Sequence, residues 1–409
     1  MPDSPPIDGP GPELIRHGTR EFYRTNLALF SAGFATFALL YCVQPLLPVF
    51  TREFHVTAAQ SSLSISLTTG LLAPAMIFAG AISESRGRKP MMVWSLLASA
   101  ILTLVSAFAP TWHLFLAARA LEGIAFAGLP AISMAYLSEE VHPNSIGLAM
   151  GLAIGGNGLG GMIGRLLTSL LADLLSWRWA VGAIGALGVV ATVIFWQTLP
   201  PSRHFVARPL RARALLQDFS EQLRNPKLVG LFAMGFLLMG AFVSTYNFAS
   251  YHLLDPPYSL SQAAVGLIFV VYLVGIFASA WIGSLADRAG RGRMLLLMAT
   301  IMLCGIGLTV LSPVWCVVLG IATVTFGFFG GHSVASSWVG LRAHRAKAQA
   351  SALYLFFYYM GASVAGAAGG VAWDHWRWNG VAGFVASLLG VAIVTAAMQG
   401  GGRQTSKAN

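Results

Sequence analysis

Three charged residues, Arg119, Glu122 and Arg165, lie inside stretches that are otherwise apolar. Arg119 and Glu122 are three residues apart, so on a helix their side chains share one face and can pair. One interpretation is that Glu122 gains and loses a proton and so changes its pairing with Arg119 and Arg165. The alternative is a fixed, buried ion pair that sets the register of the helices and never titrates. Together the three residues leave one positive charge without a partner.

The elements that position these residues are long and apolar. The chain has 409 residues, of which 56% are hydrophobic and only 10% charged, whereas soluble domains carry roughly 25% charged residues. Stretches of about 20 apolar residues, enough to cross a ~30 Å hydrocarbon layer, recur from Asn26 almost to the C-terminus. These runs do not alternate between polar and apolar residues, which selects helices over strands. The sequence therefore predicts an all-α membrane protein.

Charged residues and Pro or Gly clusters divide the apolar sequence into twelve predicted transmembrane helices. They lie near 26–49, 62–82, 91–109, 112–138, 147–171, 179–198, 228–252, 263–285, 294–311, 314–339, 348–371 and 379–398. The longest polar interruption, 199–227, predicts a cytoplasmic central loop between two six-helix bundles, 25–198 and 228–398. The remaining residues, 1–24 and 399–409, are predicted to be tails, of which the first is Pro-rich and disordered.

The positions of Lys and Arg predict the orientation, because loops rich in these residues resist translocation. Most of the 25 basic residues fall on one side of the twelve-helix arrangement, in both tails, the central loop and the loops 86–89, 288–293 and 342–347. This distribution predicts a bacterial inner-membrane protein with both termini cytoplasmic. It also accounts for the net charge of +10 without a nucleic-acid partner, since the basic residues are not gathered on one face.

Two segments of the chain are repeated. Gly80–Lys89 after the second predicted helix and Gly283–Arg293 after the eighth both place Gly, an acid, Gly and Arg in the same order. The Trp-Arg-Trp sequence at 177–179, before the sixth helix, recurs at 376–378 before the twelfth. Parallel six-helix repeats related by an axis normal to the membrane are one architecture of secondary transporters. The chain has the pattern of such a duplication.

The repeated loop resembles the signature loop of the major facilitator superfamily, with Glu84 where the family pattern has Asp. This resemblance implies two pseudo-symmetric bundles around a transport pathway, and a conformational latch at the cytoplasmic surface. In the latch, Glu84 would accept hydrogen bonds from Arg88 or a facing helix N-terminus, and Gly80 and Gly87 would allow close helix approach and a sharp turn. The alternative is a basic cluster that only enforces topology. The matched residues are Gly80, Glu84, Gly87, Arg88, Gly283, Asp287, Gly290 and Arg291.

Two further segments are similar to motifs of that family. The segment 119–123 looks like its second motif, an Arg followed by Gln and Gly, with Glu122 in place of Gln. The segment 155–161 is similar to the antiporter motif Gly-Pro-x-x-Gly-Gly, with Asn157 in place of proline and with Gly156, Gly160 and Gly161 matched. Glycines at this density permit near-contact helix packing and bending. Both motifs look closest to bacterial drug or sugar efflux permeases of the acriflavine-sensitivity-like branch.

Polar and aromatic residues inside the predicted helices are candidates to line a substrate cavity, although the same residues serve equally well in packing. For His332 the alternatives are a packed, hydrogen-bonded histidine and a role in transport. Cys42, Cys304 and Cys316 lack the spacing of a metal site or a disulfide framework and are predicted to be small buried side chains. The cavity candidates are Tyr41, Gln44, Tyr246, Asn247, His332, Tyr354 and Tyr358.

The expected function is proton-coupled antiport, in which a small organic molecule is exported by alternating access of a cavity between the bundles. Two alternatives remain: a proton symporter that imports an organic anion or sugar, and a receptor or sensor with a transporter-like body. The sequence has no nucleotide-binding signature and no converging nucleophile, base and acid, so neither ATP use nor catalysis is expected. The expected partners of this monomeric protein are the lipid bilayer, protons and a small-molecule substrate, without cofactor or metal.

Overall fold

A computed structural model describes residues 14–205, 212–343 and 345–400, with the backbone alone for Ala81, Arg86, Ala131, residues 212–216 and Gly400. Within these ranges every regular element is a helix, apart from one isolated β-bridge between Ile15 and Val141. The prediction of an all-α protein is confirmed for the part of the chain that the structure describes.

The first half of the chain contains α1 (Arg20–Tyr41), α2 (Leu47–Phe54), α3 (Ala58–Arg86), α4 (Arg88–Ala107), α5 (Trp112–Phe126), α6 (Pro130–Glu140), α7 (Pro143–Leu174) and α8 (Trp177–Thr198). The second half contains α9 (Ala212–Arg224), α10 (Pro226–Leu254), α11 (Gln262–Gly266), α12 (Tyr272–Ala289), α13 (Arg291–Leu308), α14 (Val314–Arg342) and α15 (Lys347–Gly400). Short 3-10 helices join α1 to α2 at Gln44–Leu46 and α11 to α12 at Leu267–Val271.

Local sequence explains where several helices begin and end. At the start of α3, the Thr57 hydroxyl accepts a hydrogen bond from the Gln60 amide, and the Gln60 side chain accepts one from the Thr57 amide, which forms a capping box. Gly87 and Gly290 have φ angles of +96° and +91°, a region that glycine enters without the steric penalty of a Cβ. The repeated loop therefore makes the same sharp turn in both bundles, from α3 to α4 and from α12 to α13.

Ten helical segments of the described residues are long and apolar enough to span a membrane. The longest, α15, has 54 residues and is broken at Arg377, where φ is 53° and ψ is −144°, so it supplies two crossings. α5 and α6 are each short, but together they cover residues 112–140 with a break only before Pro130, and they supply one more. The twelve crossings match the prediction, although the first extends to Phe54 rather than to residue 49.

The outer surface carries large apolar side chains, as a protein dissolved in lipid requires. Trp94, Phe108 and Met398 are 69%, 80% and 78% exposed. Cys42 and Cys316 are buried as predicted, but Cys304 is exposed. The prediction for Cys304 is wrong because hydropathy places a residue within an apolar helix without saying whether it faces the bundle or the lipid.

The helices form two bundles, α1–α8 and α10–α15, which meet along a few helix pairs. Within the bundles, α1 packs along α7, and α10 packs along α15. Between the bundles, the main contacts join α3 to α15 and α7 to α11 and α12. A site at the interface between the two bundles is therefore lined by α3, α7, α11, α12 and α15.

The segment predicted as a central loop contains ordered structure. Its start docks on the first bundle, where the Tyr136 hydroxyl donates a hydrogen bond to the Pro200 carbonyl at 3.0 Å. Its second part forms α9, from which Gln222 donates to the Arg345 carbonyl at 3.1 Å. The sequence reading missed α9 because a 13-residue amphipathic helix lacks the long apolar run by which the other helices are recognised.

The predicted N-terminal tail is docked from residue 14 onward. Ile15 is buried, its amide donates to the Glu140 carbonyl at 2.8 Å, and its carbonyl accepts from the His142 amide at 2.9 Å. The prediction of disorder is therefore wrong for the described part of this segment. Residues 1–13 and 401–409 lie outside the described residues. So do Arg208, Arg211, Arg403 and Lys407, which the sequence assigns to the cytoplasmic side.

Candidate functional site

The Arg119–Glu122 pair is enclosed inside the first bundle. Arg119 Nη1 donates to Glu122 Oε2 at 2.6 Å, and both side chains are fully buried. Thr103 on α4 donates to the other carboxylate oxygen, Oε1, at 2.7 Å. One oxygen of the carboxylate therefore faces a cation and the other a hydroxyl, a pair of charge-assisted hydrogen bonds.

Backbone carbonyls hold the rest of the Arg119 guanidinium. Nη2 donates to the Leu40 carbonyl at 2.7 Å, Nη1 also lies 3.3 Å from the Leu39 carbonyl, and Nε donates to the Ser64 carbonyl at 3.1 Å. Leu39 and Leu40 lie in the last turn of α1, and Ser64 lies on α3. A single side chain on α5 thus joins three helices, so the charge of Glu122 affects a junction and not only one pair.

Arg165 on α7 lies apart from this pair. It is 2% exposed, and it makes no ion pair with any residue that the structure describes. Its Nη1 donates to the Gly161 carbonyl at 2.6 Å, and its guanidinium carbon lies 4.3 Å from the ring centroid of Tyr41 and 4.8 Å from that of Tyr272. Glu122 pairs with Arg119 alone in this structure, where Arg165 is held by aromatic rings and uncharged acceptors, and a proton-dependent change in the pairing with Arg165 stays a prediction.

A hydrogen-bonded chain connects Arg165 to the second bundle. Arg165 Nε donates to Gln44 Oε1 at 2.6 Å, and Gln44 Nε2 donates to Asn247 Oδ1 at 2.7 Å. Gln44 follows α1, whereas Asn247 lies on α10, and both side chains are buried. Two of the predicted cavity residues thus meet at the interface between the bundles.

Tyr41 lies at the end of α1 in the first bundle, and the remaining cavity candidates lie in the second bundle. The Tyr246 hydroxyl is 2.7 Å from Thr325 Oγ1, and His332 Nδ1 is 2.9 Å from the Tyr354 hydroxyl. These contacts fit the packing alternative, and a role of His332 in transport stays a prediction. Tyr358 is partly exposed, with its ring centroid 4.7 Å from that of His332.

The glycines of α7 bring this helix into contact with the backbone of α1. A Cβ at Gly156, Gly160 or Gly164 would clash with backbone atoms of Phe30, Phe34 and Ala38, respectively. The spacing of four residues places these glycines on one face, as in small-xxx-small packing. Gly161 does not belong to this face, since its nearest neighbour is Arg165 Nη1. Asn157 replaces the proline of the antiporter motif, and its side chain lies against Gly33 of α1.

The repeated loop forms a different contact from the one the sequence predicts. Arg88 pairs with Glu139 at 2.7 Å and donates to Ser83 Oγ at 2.6 Å, whereas Glu84 is exposed. The assignment of Glu84 as the partner of Arg88 is wrong for this conformation, because the guanidinium of Arg88 is taken up by Glu139 on α6 and by Ser83. No atom lies within 4 Å of a Cβ at Gly80, so close helix approach there is also wrong.

In the second copy of the loop the acid and the base do pair with each other. Arg291 Nη2 hydrogen-bonds Asp287 Oδ1 across one turn, and the Asp287 side chain is largely exposed. Gly283 lies at a close contact, with Ser333 Oγ 3.0 Å from its Cβ position. The two loops share the turn at Gly87 and Gly290 but differ in their ion pairs.

Hydrogen bonds between the bundles close the end that lies away from the linker. Asp374 accepts hydrogen bonds from the Ala58 and Ala59 amides, both at 3.1 Å, at the N-terminus of α3. Gln262 donates to the Pro45 carbonyl at 2.7 Å. Further contacts of this kind are Thr51–Tyr251, Tyr251–Leu47, Ser363–Ser66 and Gln44–Asn247. In the described part of the chain, every hydrogen bond between the bundles lies in the half of the molecule away from the linker.

Sequence reasoning missed several residues that complete these sites. Thr103, Glu139 and Tyr272 are each essential to a contact described above, yet none lies in a motif or next to its partner in sequence. The Ser-Glu-Glu sequence at 138–140, a pair of acids after an apolar run, was the one available signal for Glu139. Among the described residues, no three His, Cys, Asp or Glu side chains are grouped in a way that could hold a metal ion.

Comparison with known proteins decides the family. A family model described as the Major Facilitator Superfamily matches residues 29–366. The chain is 51% identical over 379 residues to the uncharacterized MFS-type transporter YybF of Bacillus subtilis (strain 168). The aligned region covers 93% of this chain and 94% of YybF. The chain belongs to the major facilitator superfamily. It is accordingly a multi-pass membrane transporter and not an enzyme.

Two further comparisons agree with this membership. The inner membrane transport protein YnfM of Escherichia coli (strain K12) is 47% identical over 382 residues, covering 93% of this chain and 92% of YnfM. A crystal structure of a bacterial homolog of the human lysosomal transporter Spinster, in an inward-facing and occupied conformation, superposes with a TM-score of 0.74. It shares 16% sequence identity and covers 91% of this chain and 95% of that one. The major facilitator fold of two six-helix bundles is thereby confirmed.

Proposed function

We propose that this major facilitator protein exports a small organic molecule in exchange for protons, with Glu122 as the proton-binding residue. The observation that carries this proposal is the fully buried Arg119–Glu122 pair, whose arginine also hydrogen-bonds α1 and α3. A buried ion pair is often no more stable than apolar residues of the same volume. Acids inside membrane-spanning helices commonly mark ion or proton pathways.

The contacts of Arg119 suggest how proton binding and conformation are linked. Protonation of Glu122 removes the negative charge, so that Arg119 depends on the backbone carbonyls of α1 and α3 alone. A further titratable side chain near the pair is Cys42, which interacts electrostatically with both Arg119 and Glu122. Leu40, held by Arg119, lies four residues before Gln44, which bonds the second bundle. A shift at the end of α1 therefore reaches the bundle interface and favours one of two conformations.

The proposed orientation places both termini and the linker in the cytoplasm of a bacterial inner membrane. Basic residues concentrated in the loops on the linker side support it, as does the name of YnfM, an inner membrane transport protein. The proposed units are a first bundle at 25–198 and a second at 228–398, which enclose the pathway within a monomer. Arg88 and Glu139 then form a latch at the cytoplasmic end of the first bundle.

Export is supported by the resemblance of segment 155–161 to the antiporter motif and by the direct contact of these glycines with α1. The second candidate is import of an organic anion together with protons. It is favoured by Arg165, a buried cation that has no acidic partner among the residues described. The two candidates differ in the direction of substrate movement under a proton gradient.

The test uses inverted membrane vesicles with an acidic lumen and three labelled probes: benzenesulfonate, arabinose and ethidium. We expect at least one probe to accumulate in vesicles that contain the protein but not in vesicles without it. Glu122→Gln should abolish accumulation driven by the gradient, while gradient-free exchange of the same probe persists. Glu53→Gln, which breaks a half-exposed ion pair with Arg178, is the matched control and should retain accumulation.

Each other outcome contradicts a part of the proposal. Gradient-driven accumulation by Glu122→Gln at the original rate would remove the proton role of this residue. Uptake into right-side-out vesicles under outside-acid conditions, without accumulation in inverted vesicles, would establish import. A protein that moves no probe in either preparation, but binds one, would be a receptor or sensor.

A further inference from the structure

We propose that Arg165 and the hydroxyls of Tyr41, Tyr272, Tyr358 and Tyr359 bind the anionic group of the transported molecule. The substrate class is then an organic anion with an apolar or aromatic body. This inference rests on the proposed transport function and specifies its ligand. It assigns Arg165 to substrate recognition, separate from the proton site at Glu122.

Arg165 carries a positive charge that no acidic side chain among the described residues neutralises. The Arg119–Glu122 pair is neutral as a unit, whereas Arg165 is a buried cation whose contacts are an amide oxygen, a carbonyl and aromatic rings. Ring faces offset a cation only partly. In a low-dielectric interior, an anion next to this guanidinium gains more than in water. The site is therefore selective for negative charge.

Arg165 also has hydrogen-bond donors that no described residue uses. A guanidinium has five N–H donors in a planar fork. One N–H on Nε and one on Nη1 are used, by Gln44 and Gly161, and Nη2 has no acceptor among the described residues. Nη2 and Nη1 together keep three free N–H donors, more than the two parallel hydrogen bonds with which an arginine binds a carboxylate or sulfonate.

Four tyrosine hydroxyls surround Arg165. Tyr41 and Tyr272 stack on the guanidinium, and Tyr358 and Tyr359 are close enough to Tyr41 to interact electrostatically with it. None of the four hydroxyls forms a hydrogen bond within the described part of the chain, and none is among the fully enclosed polar atoms without a partner. Each hydroxyl thus adjoins accessible space and is free to donate to an anion.

Aromatic side chains extend this surface and suit an apolar body. Phe37 is partly buried, with its ring centroid 6.0 Å from that of Tyr41, and Phe329 is partly buried, 5.6 Å from Tyr272. Small-molecule sites are typically apolar with a few polar groups that fix orientation. Here Arg165 and the phenols are the polar groups and the phenylalanines supply the apolar walls.

The position of the site links binding to movement of the bundles. Arg165 and Tyr41 belong to the first bundle, and the other three tyrosines belong to the second. An anion on the free donors of Arg165 therefore contacts both bundles, and the hydrogen bonds from Arg165 to Gln44 and from Gln44 to Asn247 stay in place. Binding favours the conformation that brings these groups together, which is a differential interaction of the kind that shifts a conformational equilibrium.

The test measures binding to the full chain in lipid nanodiscs without any proton gradient. The probes are benzenesulfonate and benzoate, with benzenesulfonamide and benzamide as neutral counterparts and arabinose as a neutral sugar. We expect the two anions to raise the melting temperature and to bind at least about tenfold more tightly than the amides. Arg165→Gln should remove this preference, and Tyr41→Phe and Tyr272→Phe should each weaken anion binding severalfold.

Tyr136→Phe is the matched control, since Tyr136 is buried but hydrogen-bonds Pro200 near the linker; anion binding should be unchanged. If Arg165→Gln fails to fold, Arg165→Lys keeps the charge but not the fork and should bind the anions more weakly. Equal shifts with amides or arabinose, no shift with any probe, or full anion binding by folded Arg165→Gln would overturn the proposal. Because no gradient is present, anion binding without proton-driven transport would refute the proposed function and leave this site intact.

Discussion

At the residue scale, a charge among apolar helices is stabilised in different ways at Arg119 and at Arg165. Arg119 has a carboxylate 2.6 Å away and three backbone carbonyls around it. Arg165 has aromatic faces and an amide oxygen. The first arrangement is complete within one bundle and is the proposed proton site, whereas the second is shared by two bundles and is the proposed anion site.

Removal of one partner of the buried pair should be costly. Arg119→Gln leaves Glu122 buried without its cation, so we expect the free energy of unfolding to fall by about 3–5 kcal/mol. The double variant Arg119→Gln/Glu122→Gln should be more stable than the single one, because the orphaned charge is gone. Unfolding by SDS in mixed micelles, followed by circular dichroism, measures both. Equal losses in the single and double variants would mean that Glu122 is not left as a costly unpaired charge when Arg119 is replaced.

The matched control is Arg178→Gln. Arg178 and Glu53 form an ion pair at 2.7 Å whose side chains are 39% and 41% exposed. Exposed pairs of this kind contribute about 0–1 kcal/mol, so this variant should unfold close to the original protein.

At the element scale, α7 owes its closeness to α1 to three glycines on one face. Gly156, Gly160 and Gly164 follow a spacing of four and each meet α1 backbone. A contact made by backbone has no side chains to interlock, so it allows one helix to slide on the other more readily than ridges-into-grooves packing. This is the property expected of an interface that moves during alternating access.

A single methyl group should test this contact. Gly160→Ala places a Cβ against the Phe34 backbone, and overpacking of this kind costs about 1–3 kcal/mol. We expect a lower melting temperature and slower transport. Gly155→Ala is the matched control on the same helix, since nothing lies within 4 Å of its Cβ position; it should be neutral or slightly stabilising, because alanine favours helix over glycine. Equal effects of the two substitutions would argue against backbone contact at Gly160.

At the scale of the whole molecule, the hydrogen bonds that join the bundles lie at one end only, in the part of the chain described. Asp374 caps α3 from the second bundle, and the favourable placement of a carboxylate at a helix N-terminus adds to the two hydrogen bonds. Gln262–Pro45 and Gln44–Asn247 lie in the same half. In the proposed orientation this half faces the periplasm, so the conformation is closed to the outside, as inward-facing transporters are.

Locking this end should stop transport. A Cβ at Gly70 on α3 lies 3.3 Å from the Cβ of Ser363 on α15, close to the separation of about 3.5–4.5 Å found in disulfides. In a chain with Cys42, Cys304 and Cys316 replaced by alanine, Gly70→Cys/Ser363→Cys should cross-link on oxidation, lose transport and regain it on reduction. Each single cysteine variant is a control. Undiminished transport by the cross-linked protein would contradict opening between α3 and α15.

Much of the architecture was predictable because it depends on local sequence. Apolar runs of membrane length predicted the twelve crossings, Gly87 predicted the sharp turn after α3, and the spacing of Arg119 and Glu122 predicted that these residues share a face. Each inference uses the free energy of transfer into lipid or the geometry of one helix, neither of which requires knowledge of a distant segment.

Only the tertiary structure decided which helix faces meet. Arg88 pairs with Glu139, 51 residues away, and not with neighbouring Glu84; Arg165 stacks on Tyr272 of the other bundle and stands apart from Glu122. When a helix is apolar on every side, hydropathy does not predict which of its faces turns toward the other helices. The partner of a polar group in such a helix therefore depends on packing against segments far away in the chain. The sequence by itself therefore determined the membrane-spanning elements and their order, and packing decided the contacts of Glu122 and Arg165, around which the proton and anion sites are proposed.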